Sequence, residues 1–594
     1  MQAVSPLPLF LHFRKPYHLQ KFHVTIELSS YHFQKEDPDN WWLKPAPDCL
    51  KTKLRRMLDT LTFLKEGELM MFKKLPIGIQ SFEKLREDNF LYVDKTALIY
   101  ELVHNNTPYF LSRPRRFGKS LLLSTMKAYW EGKKDLFSGL AIEKLEERNV
   151  SSWQTYPVFY FDFNGMNYQQ EHALEDALHS QLKRFENFYG FDNSGLTLNE
   201  RFQNLLIKAH NQAGLRCVVL IDEYDKPLLD VIETPELHKH NKEVFKGFFS
   251  ILKSFDEYIQ FIFITGVSKF HKVSIFSDLN QLNDISLTED YAELCGMTEE
   301  EIQKYLYAYL DILADKRGLR KEDCIRLLRA QYDGYHFHPD SVGVYNPFSL
   351  MKALYEKNFG SYWFETGTPT FLIKQLKESH FDVRKFTDSS IYAAEETLKD
   401  YTGEEPDPVP LLYQTGYLTI SSYDSRRQRY TLSFPNEEVT YGFLNCLMPA
   451  FVPKATAGNG LDIYTLDEYI ENGQLDKIRD VLAALFANIT YTFESDPFEH
   501  YFQTVIYLVF TLLGKFCMCE MHTYSGRIDC KVETSDYIYL FEFKRDDTAD
   551  AALKQIDSKD YALAFSADNR KLYKIGVSFD SAQRKLAGWK VAEH

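Results

Sequence analysis

Short apolar segments alternate with amphipathic stretches between about residue 73 and residue 275. Runs of Val, Ile, Leu and Phe typical of buried strands occupy residues 107–112, 157–163, 217–222 and 259–265. Apolar residues at helical spacing predict helices at residues 119–131, 171–189, 198–212 and 241–254. This alternation predicts an α/β domain over residues 73–275, with a mostly parallel sheet covered by helices on both faces.

The pattern changes after residue 275. Helical spacing at residues 298–312 and 321–331 predicts a helical lid over residues 276–345. Residues 346–465 contain a short helix near residue 409 and two strands that flank a polar turn, which predicts a winged-helix-like linker region. Helical patterns resume at residues 466–486, and we assign residues 466–594 to a separate C-terminal unit.

Residues 1–72 lack this periodicity and are rich in Pro, His and aromatic residues. We expect a poorly ordered N-terminal extension there. Met70 and Met71 stand just before the globular pattern begins, so we also hypothesise that the extension comes from an upstream start site and is dispensable for folding.

The composition is that of a globular protein with three or four domains. The 594 residues are 44% hydrophobic and 26% charged, and the net charge of −15 argues against coating nucleic acid with the whole surface. The eight cysteines show no paired metal-ligand spacing, which indicates reduced thiols and a cytoplasmic location. The longest apolar run, residues 505–513, is shorter than the roughly 20 residues that a membrane span requires, so no membrane partner is expected.

A phosphate-binding loop is predicted between the strand at residues 107–112 and the following helix. Gly118 allows the backbone to approach a phosphate, Lys119 can reach the β- and γ-phosphates, and the Ser120 hydroxyl is a ligand for Mg²⁺. Arg113 stands where such a loop usually has its first glycine, so the motif is incomplete; the arginines here can hold phosphates or act as an arginine finger. The residues predicted to contact ATP in this segment are Arg113, Arg116, Phe117, Gly118, Lys119, Ser120 and Leu121.

Acidic residues end the strand at residues 217–222. Because the carboxyl ends of parallel strands line the ligand crevice, we expect Asp222 to hold Mg²⁺ and Glu223 to polarise the attacking water. Thr265, at the end of the strand at residues 259–265, is a candidate sensor of the γ-phosphate. The competing interpretation of the acids is a strand followed by a solvated acidic turn.

A second candidate site lies near the C-terminus. In the strand at residues 537–544, Glu542 and Lys544 share one face, and Asp529 on the preceding strand can join them. Two carboxylates that bind a divalent cation, with a lysine beside the attacking water, are typical of phosphodiester cleavage. Helices predicted at residues 498–513 and 549–561 add Glu499 and Gln555. The competing interpretation is a hairpin with a charged solvent face.

Taken together, these motifs resemble the bacterial AAA-ATPase-like proteins that carry a C-terminal PD-(D/E)XK nuclease-superfamily domain. The resemblance covers about residues 73–590 and is carried by Leu75-Pro-Ile-Gly-Ile-Gln-Ser-Phe-Glu-Lys-Leu-Arg, Tyr92-Val-Asp-Lys-Thr96, Arg113-Pro-Arg-Arg-Phe-Gly-Lys-Ser120, Ile221-Asp-Glu-Tyr-Asp-Lys-Pro227, Tyr332-Asp-Gly-Tyr-His-Phe337 and Tyr345-Asn-Pro-Phe348.

The resemblance implies a P-loop ATPase domain and a C-terminal restriction-endonuclease-like α/β domain, on either side of the helical lid and the winged-helix-like region that the patterns predict. It implies ATP and Mg²⁺ binding by Gly118, Lys119 and Ser120 with Asp222 and Glu223 as acids. It also implies a nuclease-fold triad, namely Asp529, Glu542 and Lys544. Arg replaces the first loop glycine in this family, so Arg113 fits it, whereas the Pro of the name motif is absent before Asp529.

Three functions follow as hypotheses. The first is an ATPase coupled to a metal-dependent nuclease that acts on DNA or RNA. The second is a nucleotide-gated regulatory or binding protein whose nuclease-like domain is not catalytic. The third is an assembly protein that uses ATP only for folding. An oligomer is compatible with all three, since an arginine finger can come from a neighbouring subunit.

Overall fold

The computed structural model describes most of the chain after residue 72. Beyond short strands in the first 70 residues, the described residues are 73–105, 107–191, 195–269, 272–276, 279, 281–364, 370–379, 381–386, 391–399, 407–451, 463–487, 498–512, 516–523, 526–580, 583 and 585–593. The chain divides into two compact units, Met1–Lys74 and Leu75–His594.

Among its described residues, the first unit contains three antiparallel strand pairs. These are β1 (Leu9–Leu11) with β2 (Phe22–Val24), β3 (Lys35–Asp37) with β4 (Asn40–Trp41), and β5 (Phe63–Lys65) with β6 (Glu68–Met70). The expected N-terminal extension over residues 1–72 otherwise lies outside the described residues, and its dispensability stays a prediction.

A five-stranded parallel sheet forms the centre of the second unit's first domain. Its strands are β7 (Tyr109–Ser112), β8 (Val158–Asp162), β9 (Cys217–Asp222), β10 (Ile259–Gly266) and β11 (Asn283–Asp284). The order across the sheet is β11-β7-β10-β9-β8, and every neighbouring pair is parallel. The four predicted strands are confirmed. The short polar β11 carries no apolar signal, and it extends the sheet beyond the boundary that we placed at residue 275.

Helices cover this sheet, and all six residues of β9 are buried, as expected for a strand covered on both faces. They are α1 (Phe82–Glu87), α2 (Thr96–His104), α3 (Lys119–Trp130), α4 (Ala141–Leu145), α5 (Ala173–Tyr189), α6 (Leu198–Ala213), α7 (Lys226–Leu229), α8 (Pro235–Phe249), α9 (Ile251–Ser254) and α10 (Lys272–Ile275). The helix predicted at residues 241–254 starts earlier because Pro235 provides a helix-starting residue.

The predicted lid contains α11 (Glu299–Tyr305), α12 (Tyr307–Arg317) and α13 (Lys321–Tyr332). The single helix expected at residues 298–312 is two helices, because the backbone leaves helical geometry at Leu306. Thr298 and Glu301 form a reciprocal capping box that fixes the start of α11.

A small antiparallel sheet marks the linker region. Its elements are α14 (Pro347–Glu356), α15 (Thr370–Glu378), β12 (Ile391–Ala394), α16 (Glu395–Lys399), α17 (Val409–Gln414), β13 (Thr419–Asp424), β14 (Arg429–Ser433) and α18 (Glu437–Phe451). The helix followed by a hairpin is confirmed as α17, β13 and β14. The sequence did not predict β12, which pairs with β14 and gives the order β12-β14-β13.

The C-terminal domain has a mixed five-stranded sheet. Its elements are α19 (Ile463–Glu471), α20 (Leu475–Ala487), α21 (Phe498–Leu512), β15 (Phe516–Thr523), β16 (Gly526–Glu533), β17 (Tyr537–Arg545), α22 (Ala549–Ser558), β18 (Lys571–Asp580) and β19 (Lys585–Glu593). The order is β15 to β19 in sequence; β17 and β18 are parallel, and the other neighbours are antiparallel. α22 is the crossover that a parallel pair requires.

The predicted alternation along β17 is confirmed by the two cores that its faces enter. Tyr539, Phe541 and Phe543 belong to a large aromatic core, whereas Ile538 and Leu540 pack in a smaller core beneath α22. None of the described helices combines the length and the apolar character needed to cross a bilayer.

Candidate nucleotide and metal sites

The predicted phosphate-binding loop connects β7 to α3. Gly118 caps α3 with a φ of 94°, a left-handed conformation that glycine adopts without a Cβ clash. Lys119 is buried, and its ammonium donates hydrogen bonds to the carbonyl oxygens of Arg113 (2.9 Å) and Pro114 (3.1 Å). The lysine therefore closes the loop on itself and holds a positive charge at the helix N-terminus.

The acid at the end of β9 is held by two hydroxyl groups. Thr265 Oγ1 donates a 2.7 Å hydrogen bond to Asp222 Oδ1, and the Tyr160 hydroxyl donates a 3.2 Å bond to Asp222 Oδ2. Thr265 can reach Asp222 because β10 lies between β7 and β9 in the sheet. The side chain that we predicted to sense the γ-phosphate thus orients the carboxylate that we predicted to hold Mg²⁺.

Glu223 follows in a left-handed conformation with a φ of 51°. Burial raises the pKa of its carboxyl group, and the nearby charge of Lys119 opposes that rise. A non-glycine residue with positive φ is strained, and such strain concentrates at functional sites. Glu223 faces the same cavity as Lys119, as expected for a residue that contacts a bound nucleotide or its water.

Asp225 is a buried acid to which the sequence assigned no role. Its carboxylate accepts hydrogen bonds from the backbone N–H of Val267 (3.2 Å) and from the backbone N–H and hydroxyl of Ser268 (2.6 and 2.7 Å). These bonds attach the end of β10 to the end of β9. One sequence does not distinguish such an acid from one in a solvated turn, because the distinction lies in a contact between distant segments.

A cavity of about 390 Å³ lies over the loop. The predicted residues in its wall are Arg116, Gly118, Lys119, Ser120, Leu121 and Glu223. The opposite wall is mainly apolar and includes Ile77, Ile79, Phe348 and Met351, with the Arg116 guanidinium 4.8 Å above the Phe348 ring. Cationic and amide donors thus face an apolar slot, and the Ser120 hydroxyl in its wall is an oxygen ligand of the kind that Mg²⁺ prefers. Asp222 and Thr265, which we also predicted to contact the nucleotide or its metal, are buried and do not line this cavity.

Arg113 and Phe117 do not line this cavity. The Arg113 guanidinium is buried, donates to the carbonyl oxygens of Ser286 (2.8 Å) and Tyr291 (3.0 Å), and lies 3.9 Å from the Phe337 ring centroid. Phe117 packs edge-to-face against the same Phe337 ring. This geometry gives Arg113 an anchoring role and places it outside the cavity wall, whereas the sequence predicted a phosphate contact.

The C-terminal candidate residues converge at the end of β17. The backbone pairing between β16 and β17 ends at the pair formed by Cys530 and Phe541. Just beyond it, the Asp529 carboxylate accepts a 2.8 Å hydrogen bond from the Phe543 N–H. Asp529 is thereby brought beside Glu542. Lys544 Nζ lies 3.5 Å from Glu542 Oε1, and the Gln555 side-chain amide of α22 donates to the same oxygen.

Glu542 is a buried acid beside a second carboxylate. The residue is only 1% exposed, and burial together with the nearby Asp529 carboxylate raises its pKa well above the usual range. Glu542 Oε2 is buried and accepts no hydrogen bond from any group in the described part of the chain. A divalent cation between Asp529 and Glu542 would satisfy this oxygen and relieve the repulsion, so the residues fit Mg²⁺ or Mn²⁺. Glu499 lies on α21, but its side chain is outside the described residues.

The fold and the two sites define a class of protein: a P-loop AAA-ATPase-like domain joined to a PD-(D/E)XK nuclease-superfamily domain. The family model described as "Predicted AAA-ATPase" matches residues 76–276, and that of the PD-(D/E)XK nuclease superfamily matches residues 497–589. The "Uncharacterized protein in vnfD 5'region" of Azotobacter chroococcum mcd 1 is 35% identical over 533 residues, which span 88% of this chain and 99% of that protein. This chain belongs to the same family of AAA-ATPase-like, PD-(D/E)XK-containing proteins.

Proposed function

We propose that this protein is a Mg²⁺-dependent ATPase coupled to a metal-dependent nuclease that cleaves DNA or RNA. The observation that carries the proposal is the convergence of Asp529, Glu542, Lys544 and Gln555 around a buried carboxylate oxygen without a hydrogen-bond partner among the described residues. A charged hairpin face in solvent, the competing interpretation, does not place a carboxylate in a 1% exposed position.

In the nucleotide site, each group of the chain has a separate role in binding ATP or in its hydrolysis. Lys119 exchanges its two loop carbonyls for phosphate oxygens, and the backbone N–H groups after Gly118 face the phosphates at the start of α3. Ser120 and Asp222 would hold Mg²⁺, which neutralises phosphate charge when bound. Glu223 orients the attacking water, and the wall formed by Ile77, Ile79, Phe348 and Met351 packs against the base.

In the C-terminal site, Asp529 and Glu542 would hold a divalent cation, which lowers the pKa of a bound water and neutralises the scissile phosphate. Lys544 is partly exposed beside them, so its ammonium can orient the nucleophile and contact the phosphate. Gln555 holds Glu542 in place from α22. The raised pKa of Glu542 is then a property of the metal-free site, because the carboxylate must lose its proton to bind the cation.

The test is cleavage of labelled single- and double-stranded DNA and RNA with Mg²⁺ or Mn²⁺, with and without ATP. Wild-type protein is compared with Glu542→Ala and with Asp550→Ala, a surface carboxylate on α22 that pairs with Lys590. Cleavage that is lost in Glu542→Ala and kept in Asp550→Ala establishes the nuclease. Dependence of that cleavage on ATP establishes the coupling.

ATPase activity is measured on the same preparations. If no preparation cleaves any substrate while all of them hydrolyse ATP, the nuclease proposal is wrong and the protein is a nucleotide-gated regulator. If Glu542→Ala cleaves like the wild type, the activity comes from a contaminant or from another site.

A further inference from the structure

A cluster of two histidines and a glutamate lies outside both sites. His172 immediately precedes α5, Glu175 lies in the first turn of α5, and His240 lies on α8. His172 Nδ1 is 3.2 Å and His240 Nε2 is 2.6 Å from the same carboxylate oxygen, Glu175 Oε1. Each residue offers one ligand atom, and these three atoms all lie within 4.8 Å of one another. Among the described residues, this is the group of three His, Cys, Asp or Glu side chains that meets this condition.

We propose that His172, Glu175 and His240 bind a divalent transition-metal ion of the Zn²⁺ class. Two imidazole nitrogens and one carboxylate oxygen are a donor set typical of zinc sites that keep a fourth position for water. Mg²⁺ and Ca²⁺ prefer oxygen ligands alone, so the ion that serves the nucleotide site is a poor fit here.

The positions of the two histidines around Glu175 are unfavourable if hydrogen bonds are the only interaction between them. Both histidines point at Glu175 Oε1, while Glu175 Oε2 is buried without a hydrogen-bond partner in the described part of the chain. Two imidazoles that served only as donors would be better placed with one on each oxygen. A cation at the point where the three groups converge removes the competition, because each imidazole then donates a lone pair to the ion.

The distances are within reach of a tetrahedral site. Metal–ligand bonds of about 2.0–2.1 Å place neighbouring ligand atoms roughly 3.3 Å apart. The separation of His172 Nδ1 from Glu175 Oε1, 3.2 Å, already matches, and His240 has to withdraw by less than about 1 Å. Both histidine side chains have room for this, since His172 is 65% and His240 is 42% exposed.

The backbone conformation favours the same conclusion. His172 adopts a left-handed conformation with a φ of 61°, which is costly for a residue other than glycine and directs its ring toward α8. A bound ion would join α8 to the loop at residues 163–172, which also carries Asn164 of the nucleotide cavity.

The full chain is first treated with a chelator to remove bound metal. Zn²⁺ binding is then measured by titration calorimetry, and the Zn²⁺ that the protein retains after desalting is measured by elemental analysis. His172→Ala and His240→Ala are compared with His338→Ala, a partly buried histidine near Asp340. We expect the wild type and His338→Ala to retain one more equivalent of Zn²⁺ than the two cluster variants. Replacing Zn²⁺ with Co²⁺ should give the visible absorption of a low-symmetry cobalt site, and this absorption should be lost in His240→Ala.

Circular dichroism verifies that the variants are folded, and the exposure of both histidines makes misfolding an unsuitable explanation for metal loss. Equal Zn²⁺ stoichiometry in the wild type and both cluster variants would overturn the proposal. So would a wild type that retains no Zn²⁺ after desalting and shows no saturable binding.

Discussion

Replacement of Thr265 by Val tests whether this residue orients Asp222 or senses the γ-phosphate. The two side chains have nearly the same shape, so the change removes the hydroxyl and fills its place with a methyl group. Thr265 is fully buried and Asp222 is 1% exposed, so water cannot readily replace the lost 2.7 Å hydrogen bond. The Tyr160 hydroxyl, at 3.2 Å, is the other side-chain donor that the structure shows for this carboxylate.

The magnitude follows from that geometry. A buried hydrogen bond to an ionised carboxylate contributes about 1.5–3 kcal/mol, so Thr265→Val should destabilise the ATPase domain by about 2 kcal/mol. Thr265→Ser is the matched control: it keeps the hydroxyl and loses one methyl group, which costs about 1 kcal/mol. If Asp222 helps to hold Mg²⁺, the valine variant should lose about 10- to 100-fold in MgATP affinity, as is typical when the support of a ligand is removed, while the serine variant should bind normally.

The assay has two parts. The first part is urea unfolding. The transition of the ATPase domain is identified as the one that a non-hydrolysable ATP analogue shifts to higher urea concentration, because a ligand stabilises the domain that binds it. MgATP affinity is measured by calorimetry on the same variants. If Thr265→Val keeps wild-type stability and MgATP affinity but loses hydrolysis, the hydroxyl acts on the γ-phosphate and the argument from Asp222 is wrong.

Three further predictions rest on single side chains. Lys119→Ala should abolish ATP binding in a fluorescent-nucleotide titration, whereas Lys127→Ala on the same helix, which pairs with Glu131 on the surface, should not; equal affinities would refute the assignment. Because burial and Asp529 raise the pKa of Glu542 to about 8, Mn²⁺ affinity of the C-terminal site should rise about tenfold per pH unit below that pKa and level off above it, and a calorimetric titration independent of pH would contradict this. Gly576→Ala should destabilise by about 1–3 kcal/mol in thermal unfolding, since the added Cβ would lie 2.3 Å from a carbonyl oxygen of α22; Gly247→Ala, whose Cβ meets nothing within 4 Å, should be neutral or stabilising, and equal effects would disprove the clash.

Much of the fold was predictable because it depends on local patterns. Each strand of the parallel sheet except β11 is a continuous apolar run, and the alternation along β17 separates two cores. Helix ends were less predictable: the helix expected at residues 466–486 is interrupted at Gly473, which has a φ of 64°. The lone glycine in a helical pattern was the available signal, and only the backbone shows that it breaks the helix.

The site was predictable where function demands particular residue types in a fixed order. Gly118, Lys119 and Ser120 were predicted for that reason and line one cavity, and Glu542 and Lys544 were predicted in the same way and lie side by side. The structural role of Asp225 was missed because its partners, Val267 and Ser268, are more than 40 positions away in sequence. The same limit applies to His172, Glu175 and His240, whose proximity depends on the packing of α5 against α8.

Arg113 shows why an incomplete motif is compatible with an intact loop. A glycine at this position would leave the loop's entry to be fixed by its own backbone, whereas Arg113 attaches that entry to carbonyl oxygens of Ser286 and Tyr291, on the segment that follows β11. The loop also contacts the linker region, since the Trp363 indole N–H donates to the Arg115 carbonyl at 3.3 Å. Any rearrangement of the loop around a nucleotide must therefore alter contacts with the lid and with the linker that leads to the nuclease-like domain. An arginine in place of the glycine thus fits a loop whose conformation is coupled to the lid and to the linker. Whether cleavage depends on ATP measures whether this coupling reaches the nuclease-like domain.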